Sequence, residues 1–296
     1  MEPAELVKLG VAVSVGLTVF SIGLQTAARD LGSFLGRPGL VIRSLVAMNV
    51  IMPLLALVFA LRFRLEPAVT VALVALSLSP VPPILPRKQF SVSDDTPYVL
   101  GLLTIGSALA VVVAPLVLAL VSRTFGRDLE VAPGTIARAL TMSVFVPVVA
   151  GFVVQRFWPA AARRLAPVAA KVGGVLLLVV VIALIVVAHR PMWTLVGNGT
   201  LLAMVAFAGV GLLVGHLLGG PDRGDRAVLA LATATRHPGV AIAIASSASQ
   251  VRNVGAAVLL YLLVSTLVSA PYVARRKSRR ADVHAPPLAA ARTRKM

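Results

Sequence analysis

Nine apolar runs divide this 296-residue chain: Gly10–Ala28, Ser44–Leu61, Pro67–Pro86, Tyr98–Val121, Ala139–Val154, Val172–Ala188, Thr200–Leu218, Ala227–Ala248 and Val254–Val273. None of them contains Asp or Glu. All 11 acids fall outside the runs, at Glu2, Glu5, Asp30, Glu66, Asp94, Asp95, Asp128, Glu130, Asp222, Asp225 and Asp282. A spanning helix needs about 20 apolar residues. Inside lipid each backbone N–H and C=O must pair within its own segment, so runs of this kind are helices. The composition agrees, with 58% hydrophobic and only 13% charged residues and a mean hydropathy of +0.93. Soluble domains carry about 25% charged residues, and disorder needs low hydropathy. The chain therefore reads as an all-α polytopic membrane protein.

The net charge of +17 arises from 28 Lys+Arg. On a soluble protein this would suggest nucleic acid. Here the basic residues sit in loops, where they set topology, so no nucleic-acid partner is expected and the lipid bilayer is. Eight of them lie beyond Tyr272, from Arg275 to Lys295, which predicts a disordered cytoplasmic tail over 275–296 near anionic lipid. The preference for Arg over Lys suggests a GC-rich bacterial genome and hence a bacterial plasma membrane. There is no Cys, which excludes disulfides, thiol catalysis and thiolate metal sites. Met1–Glu5 lacks a basic n-region, so no cleaved signal peptide is expected.

Two runs are interrupted. Pro80, Pro82, Pro83 and Pro86 crowd the third, and each proline removes a donor and clashes one turn back. Arg236-His237-Pro238-Gly239 breaks the eighth. One break in each half of a chain points to an inverted-repeat transporter with its site at the midplane. Counting Lys and Arg puts 19 on the side of the C-terminus and 8 on the other, with Arg236 inside a span. The count is the same for nine crossings and for ten with the third run split in two. Five-plus-five repeats prefer ten. The expected organisation is an N-terminal tail 1–9, a five-helix repeat 10–122, a connecting loop 123–136, a second repeat 137–274 and the tail 275–296.

Arg236 is the one strongly charged residue inside a run. A charge at that depth costs several kcal/mol unless paired or hydrated, and no span offers an acid. A small organic anion is the expected partner, aided by half-helix N-termini. The alternatives are snorkelling, awkward from the middle of a span, and bonding to backbone carbonyls. The expected substrate-binding residues are Arg236, His237, Pro238, Gly239, Ser79, Pro80, Pro82 and Pro83. The hydroxyls of Thr104, Ser107, Thr233 and Thr235 are the candidates for binding an ion, as are Ser246, Ser247 and Ser249 more loosely. Such groups also bond back to their own helix. Gly211, Gly215 and Gly219 repeat at four-residue spacing and predict close helix packing. No catalytic set, resident metal site or other cofactor motif stands out. The competing reading is a membrane enzyme or lipid-binding protein using His237 as an acid/base group, but that needs a second catalytic group within reach.

Phe20-Ser-Ile-Gly-Leu24, Asp30-Leu31, Arg37-Pro38-Gly39-Leu40, Asn49-Val-Ile-Met-Pro53 and Ala241-Ile-Ala-Ile-Ala245 together resemble the bile acid:sodium symporter family over roughly residues 10 to 274. The resemblance implies a secondary transporter with ten helices in two inverted five-helix repeats, forming panel and core domains whose broken helices cross at the midplane. It also implies sodium as the coupling ion, with Thr104 matching a threonine near a sodium site. The chain departs from the family where sodium binds. Ala232-Thr-Ala-Thr-Arg-His-Pro238 lacks the acid, and Arg236-His237 stands in place of an amide pair. Prolines replace the Ser-Asn pair of the first crossover. Weak sodium dependence is the expectation.

Overall fold

The computed structural model describes residues 3–81, 93, 95–125, 133–248 and 251–284. All regular structure among them is helical. The order is α1 (Pro3–Gln25), α2 (Ala28–Leu35), α3 (Pro38–Val46), α4 (Met52–Arg62), α5 (Pro67–Leu78), α6 (Thr96–Phe125), α7 (Pro133–Leu140), α8 (Val146–Phe157), α9 (Pro159–Leu195), α10 (Thr200–Leu218), α11 (Arg223–Ala234), α12 (Pro238–Ala248) and α13 (Val254–His284). Pro82, Pro83 and Pro86 lie outside the described residues.

Six segments are long and apolar enough to cross a membrane, and α1 with α2, bent by 81°, makes a seventh. Leu202, Leu217, Leu267 and Val187 are largely exposed on their outer faces, as lipid contact requires. Between helices in lipid the attraction is packing and hydrogen bonding rather than water release. Small residues at the contacts show this. A Cβ on Gly23 of α1 would collide with the backbone of Val148 and Phe152 in α8, and one on Gly151 would collide with Phe20 and Leu24. Gly215 of α10 lies as close to Thr233 and Ala230 of α11, and Gly211 is in tight but looser contact with Ala234 and Thr233, so the glycine repeat is a packing stripe, as its spacing predicts.

Two π-helical turns, Ala47–Ile51 and Thr141–Phe145, each end two residues before a proline, Pro53 and Pro147. Proline offers no N–H to the turn before it, and the widened turn accommodates that gap.

Three expectations change. The run Val172–Ala188 is only part of the 37-residue α9, because Ala162, Ala166 and Ala169 of its basic first part pack against Leu24. Residues 275–284 continue α13 as helix and are not a disordered tail, since no proline or glycine interrupts them. The ten-crossing layout is the third. It puts residues 29–43 on the face opposite 87–97, 156–171 and 219–226. Arg37 instead pairs with Asp95, and also with Asp225 at 3.6 Å. Arg29 shares a cavity of about 370 Å³ with Arg156 and Arg163. Arg37, Asp95 and Asp225 thus share one face, and Arg29 lies with Arg156 and Arg163. The physical reason lies in the third run, where α5 packs on α12, the half of the eighth run remote from Asp225, and on α13. Asp95, after the proline cluster, sits beside Asp225.

Candidate functional site

The eighth run breaks where Pro238 and Gly239 follow a polar stretch. Proline offers no N–H to the turn before it and disfavours helical backbone in the residue ahead of it, so a helix tends to end short of it. Thr235 is extended (φ −114°, ψ 130°), and α12 restarts at Pro238. In the third run Ser79, before Pro80, is likewise extended (φ −75°, ψ 145°). The two breaks meet. The His237 N–H donates to the Pro80 carbonyl at 3.0 Å. Arg236 Nη1 donates to the Ser79 carbonyl at 3.1 Å. Arg236 Nη2 donates to the Met48 carbonyl, also at 3.1 Å.

The acceptors are those that prolines have stripped. In the π-helical turn Met52 N–H bonds to Ala47, so the next donor in register for Met48 would be residue 53, which is proline. For Ser79 the helical donors three and four residues on would be Pro82 and Pro83. A buried carbonyl without a donor costs about 1–3 kcal/mol. One guanidinium, with five N–H groups in a fixed fork, satisfies both.

Arg236 is 3% exposed and His237 fully buried. The interior partner of Arg236 in this structure is thus the protein's own backbone, the alternative that the sequence left open. Among the described residues its Nε has no hydrogen-bond partner, nor has His237 Nε2. His237 Nδ1 accepts from Val240 N–H at 3.4 Å, capping the start of α12. Ala234, whose carbonyl is freed by the break, takes the Tyr261 hydroxyl of α13 at 2.6 Å. Tyr261 stacks edge-on against Phe207, which contacts Phe59 in the same way.

The remaining candidates divide. Gly239 packs against Val15 and Val11 of α1, where a Cβ would have no room. Ser79 contributes its carbonyl, while its hydroxyl bonds to Leu76. Thr104 bonds Thr26 Oγ1 at 2.8 Å, tying α6 to the end of α1. The Thr233 hydroxyl bonds to Gly211 and to its own helix, and that of Thr235 to Leu231. Ser107 is buried with its hydroxyl unbonded. Pro82 and Pro83 lie outside the described residues, as do the side chains of Ser246, Ser247 and Ser249. Sequence reasoning missed Met48 and Tyr261. Pro53 is the signal for Met48, while nothing in the sequence announces Tyr261.

Sequence reasoning also missed the charged cluster at one end of the crossing segments. Asp222 caps α11 through Gly224 and Asp225 N–H. Asp225, in the first turn of α11, is 5% exposed and faces Arg37. Hydrogen bonding to Asp95 holds Arg37 above its ordinary pKa.

A family model described as the sodium bile acid symporter family matches residues 12–194. The chain belongs to this family. The match covers the first break and ends within α9, before Arg236. The chain is 32% identical to the rat (Rattus norvegicus) sodium-dependent organic anion transporter over 210 residues, 70% of this chain and 55% of that protein. It is 27% identical to the human protein of the same name over 209 residues, 70% of this chain and 54% of that one. A Bacillus subtilis protein described as an uncharacterized sodium-dependent transporter, YocS, is 27% identical over 148 residues, half of this chain and 45% of its own. The chain spans about half the length of the curated relatives it matches. These relatives are transporters by name, and none is an enzyme.

Proposed function

We propose that this family member is a secondary transporter of a small organic anion in a bacterial plasma membrane, with nine crossings and a cytoplasmic C-terminus. The observation that carries the reading is the meeting of the two breaks, His237 on Pro80 and Arg236 on Ser79. A joint of two interrupted helices gives both halves of a transporter a common midplane site, with half-helix ends aimed at it. The names of the relatives supply the organic anion.

The anion site of this proposal lies at Arg236, His237, Pro238, Gly239, Ser79 and Pro80, extending to Pro82 and Pro83. Arg236 Nε and His237 Nε2 have no protein partner among the described residues, and they are the groups a ligand would engage when the crossing opens. The nine crossings combine the shared face of Arg37, Asp95 and Asp225 with a charge count that favours a cytoplasmic C-terminus. On this layout the first half supplies four crossings and the second five, so any inverted repeat is incomplete in the first half.

Uptake of a panel of organic anions, bile acids included, into proteoliposomes tests the reading. Saturable uptake of at least one anion is expected. His237→Gln should weaken its apparent affinity about tenfold, the loss of one hydrogen bond worth about 1.4 kcal/mol. No uptake of any anion above empty liposomes would refute the proposal.

A further inference from the structure

The family name and the relatives' names carry sodium, but the crossing does not fit a sodium ion. An alkali cation in a protein needs several oxygens turned toward it, commonly with a carboxylate to balance its charge. Here no acid occurs between Ala227 and Ala248. Among the described candidates the Thr233 and Thr235 hydroxyls donate to nearby carbonyls, that of Thr104 pairs with Thr26 and that of Ser107 is unbonded; all four are neutral, and none brings a balancing negative charge. Of the proline-stripped carbonyls that a cation could take, Arg236 already holds two, those of Ser79 and Met48.

We infer that the Arg236 guanidinium is a tethered cation that takes the place of the coupling ion, so that this transporter works without sodium. The inference rests on the transporter reading and deepens it. A bound sodium ion would contribute one positive charge and bridge the unwound Ser79 stretch to its neighbours. Arg236 contributes the same charge and bridges Ser79, Met48 and its own broken helix. Unlike sodium, it never leaves. The charge at the crossing is then constant through the cycle, and a sodium gradient has nothing to act on. The guanidinium also keeps Nε unpaired, so the fixed charge stays available to an anion while its two terminal nitrogens hold the carbonyls.

The test compares thermal unfolding in detergent in sodium chloride and in choline chloride, for the wild-type chain and for Arg236→Ala. The wild-type midpoint should be the same in both salts, to within about a degree. Arg236→Ala should melt several degrees lower in choline and recover part of that loss in sodium with a saturable, millimolar dependence, because the vacated carbonyls now admit the ion. Equilibrium binding of radioactive sodium to the wild-type protein should show no saturable component. It decides the matter even if Arg236→Ala does not fold. Saturable sodium binding or sodium-specific stabilisation of the wild type would overturn the inference, as would a folded Arg236→Ala indifferent to sodium. None of these measurements needs a substrate. A failed uptake assay would therefore count against the transporter reading alone.

Discussion

The hydroxyl of Tyr261 reaches the carbonyl of Ala234 at 2.6 Å across 27 residues of sequence. It supplies a donor that the break at Thr235–Pro238 has removed from the end of α11. Both groups are fully buried, so no water replaces either. Tyr261→Phe keeps the ring against Phe207 and leaves the carbonyl bare. It should destabilise by about 1–3 kcal/mol, the cost of an unsatisfied buried acceptor. Denaturant unfolding in micelles measures this, and a loss below a few tenths of a kcal/mol would show that the carbonyl has found another donor.

Pro53 and Arg236 should be energetically coupled. Pro53→Ala returns a backbone donor near Met48 and lessens the need for Nη2. Arg236→Gln should then cost less in the Pro53→Ala background than alone, with a coupling of about 0.5–3 kcal/mol. Additive losses would mean that the Met48 carbonyl is not the one Pro53 deprives.

The absence of cysteine makes the chain ready for single-cysteine labelling. With nine crossings, cysteines at Arg29 and Asp222 should react with an impermeant maleimide only from the cytoplasmic side, and those at Arg64 and Asn198 only from outside. The ten-crossing layout moves Arg29 outside and Arg64 inside while leaving Asp222 and Asn198 unchanged. Opposite labelling of positions 29 and 222 would therefore refute the shared face.

Gly23→Ala should be poorly tolerated, since its methyl group would enter the backbone of α8. Overpacking of this kind costs about 1–3 kcal/mol. Gly16, on the same helix, has open space where a Cβ would stand. Gly16→Ala should be neutral or stabilising by up to about 1 kcal/mol, from helix propensity. Equal losses in the two variants would mean that α1 and α8 are not in close contact.

The sequence by itself determined the class of the molecule and the location of its irregularities. Apolar runs of spanning length admit only helices in lipid, and the prolines at 80 and 238 mark the two segments that break, although Pro167 and Pro191 stay inside α9. It also made clear that Arg236 has no acid within any span. Tertiary structure decided what Arg236 does about that. Proline-stripped carbonyls are visible in the sequence, but which donor reaches them depends on how α4, α5 and α11 cross, and the sequence carries no distance between Met48 and Arg236. The number of crossings was likewise beyond the sequence, because nine and ten distribute the basic residues equally. Only a contact between remote loops, Arg37 with Asp95 and Asp225, separates the two layouts, since side chains on opposite faces of a bilayer cannot touch.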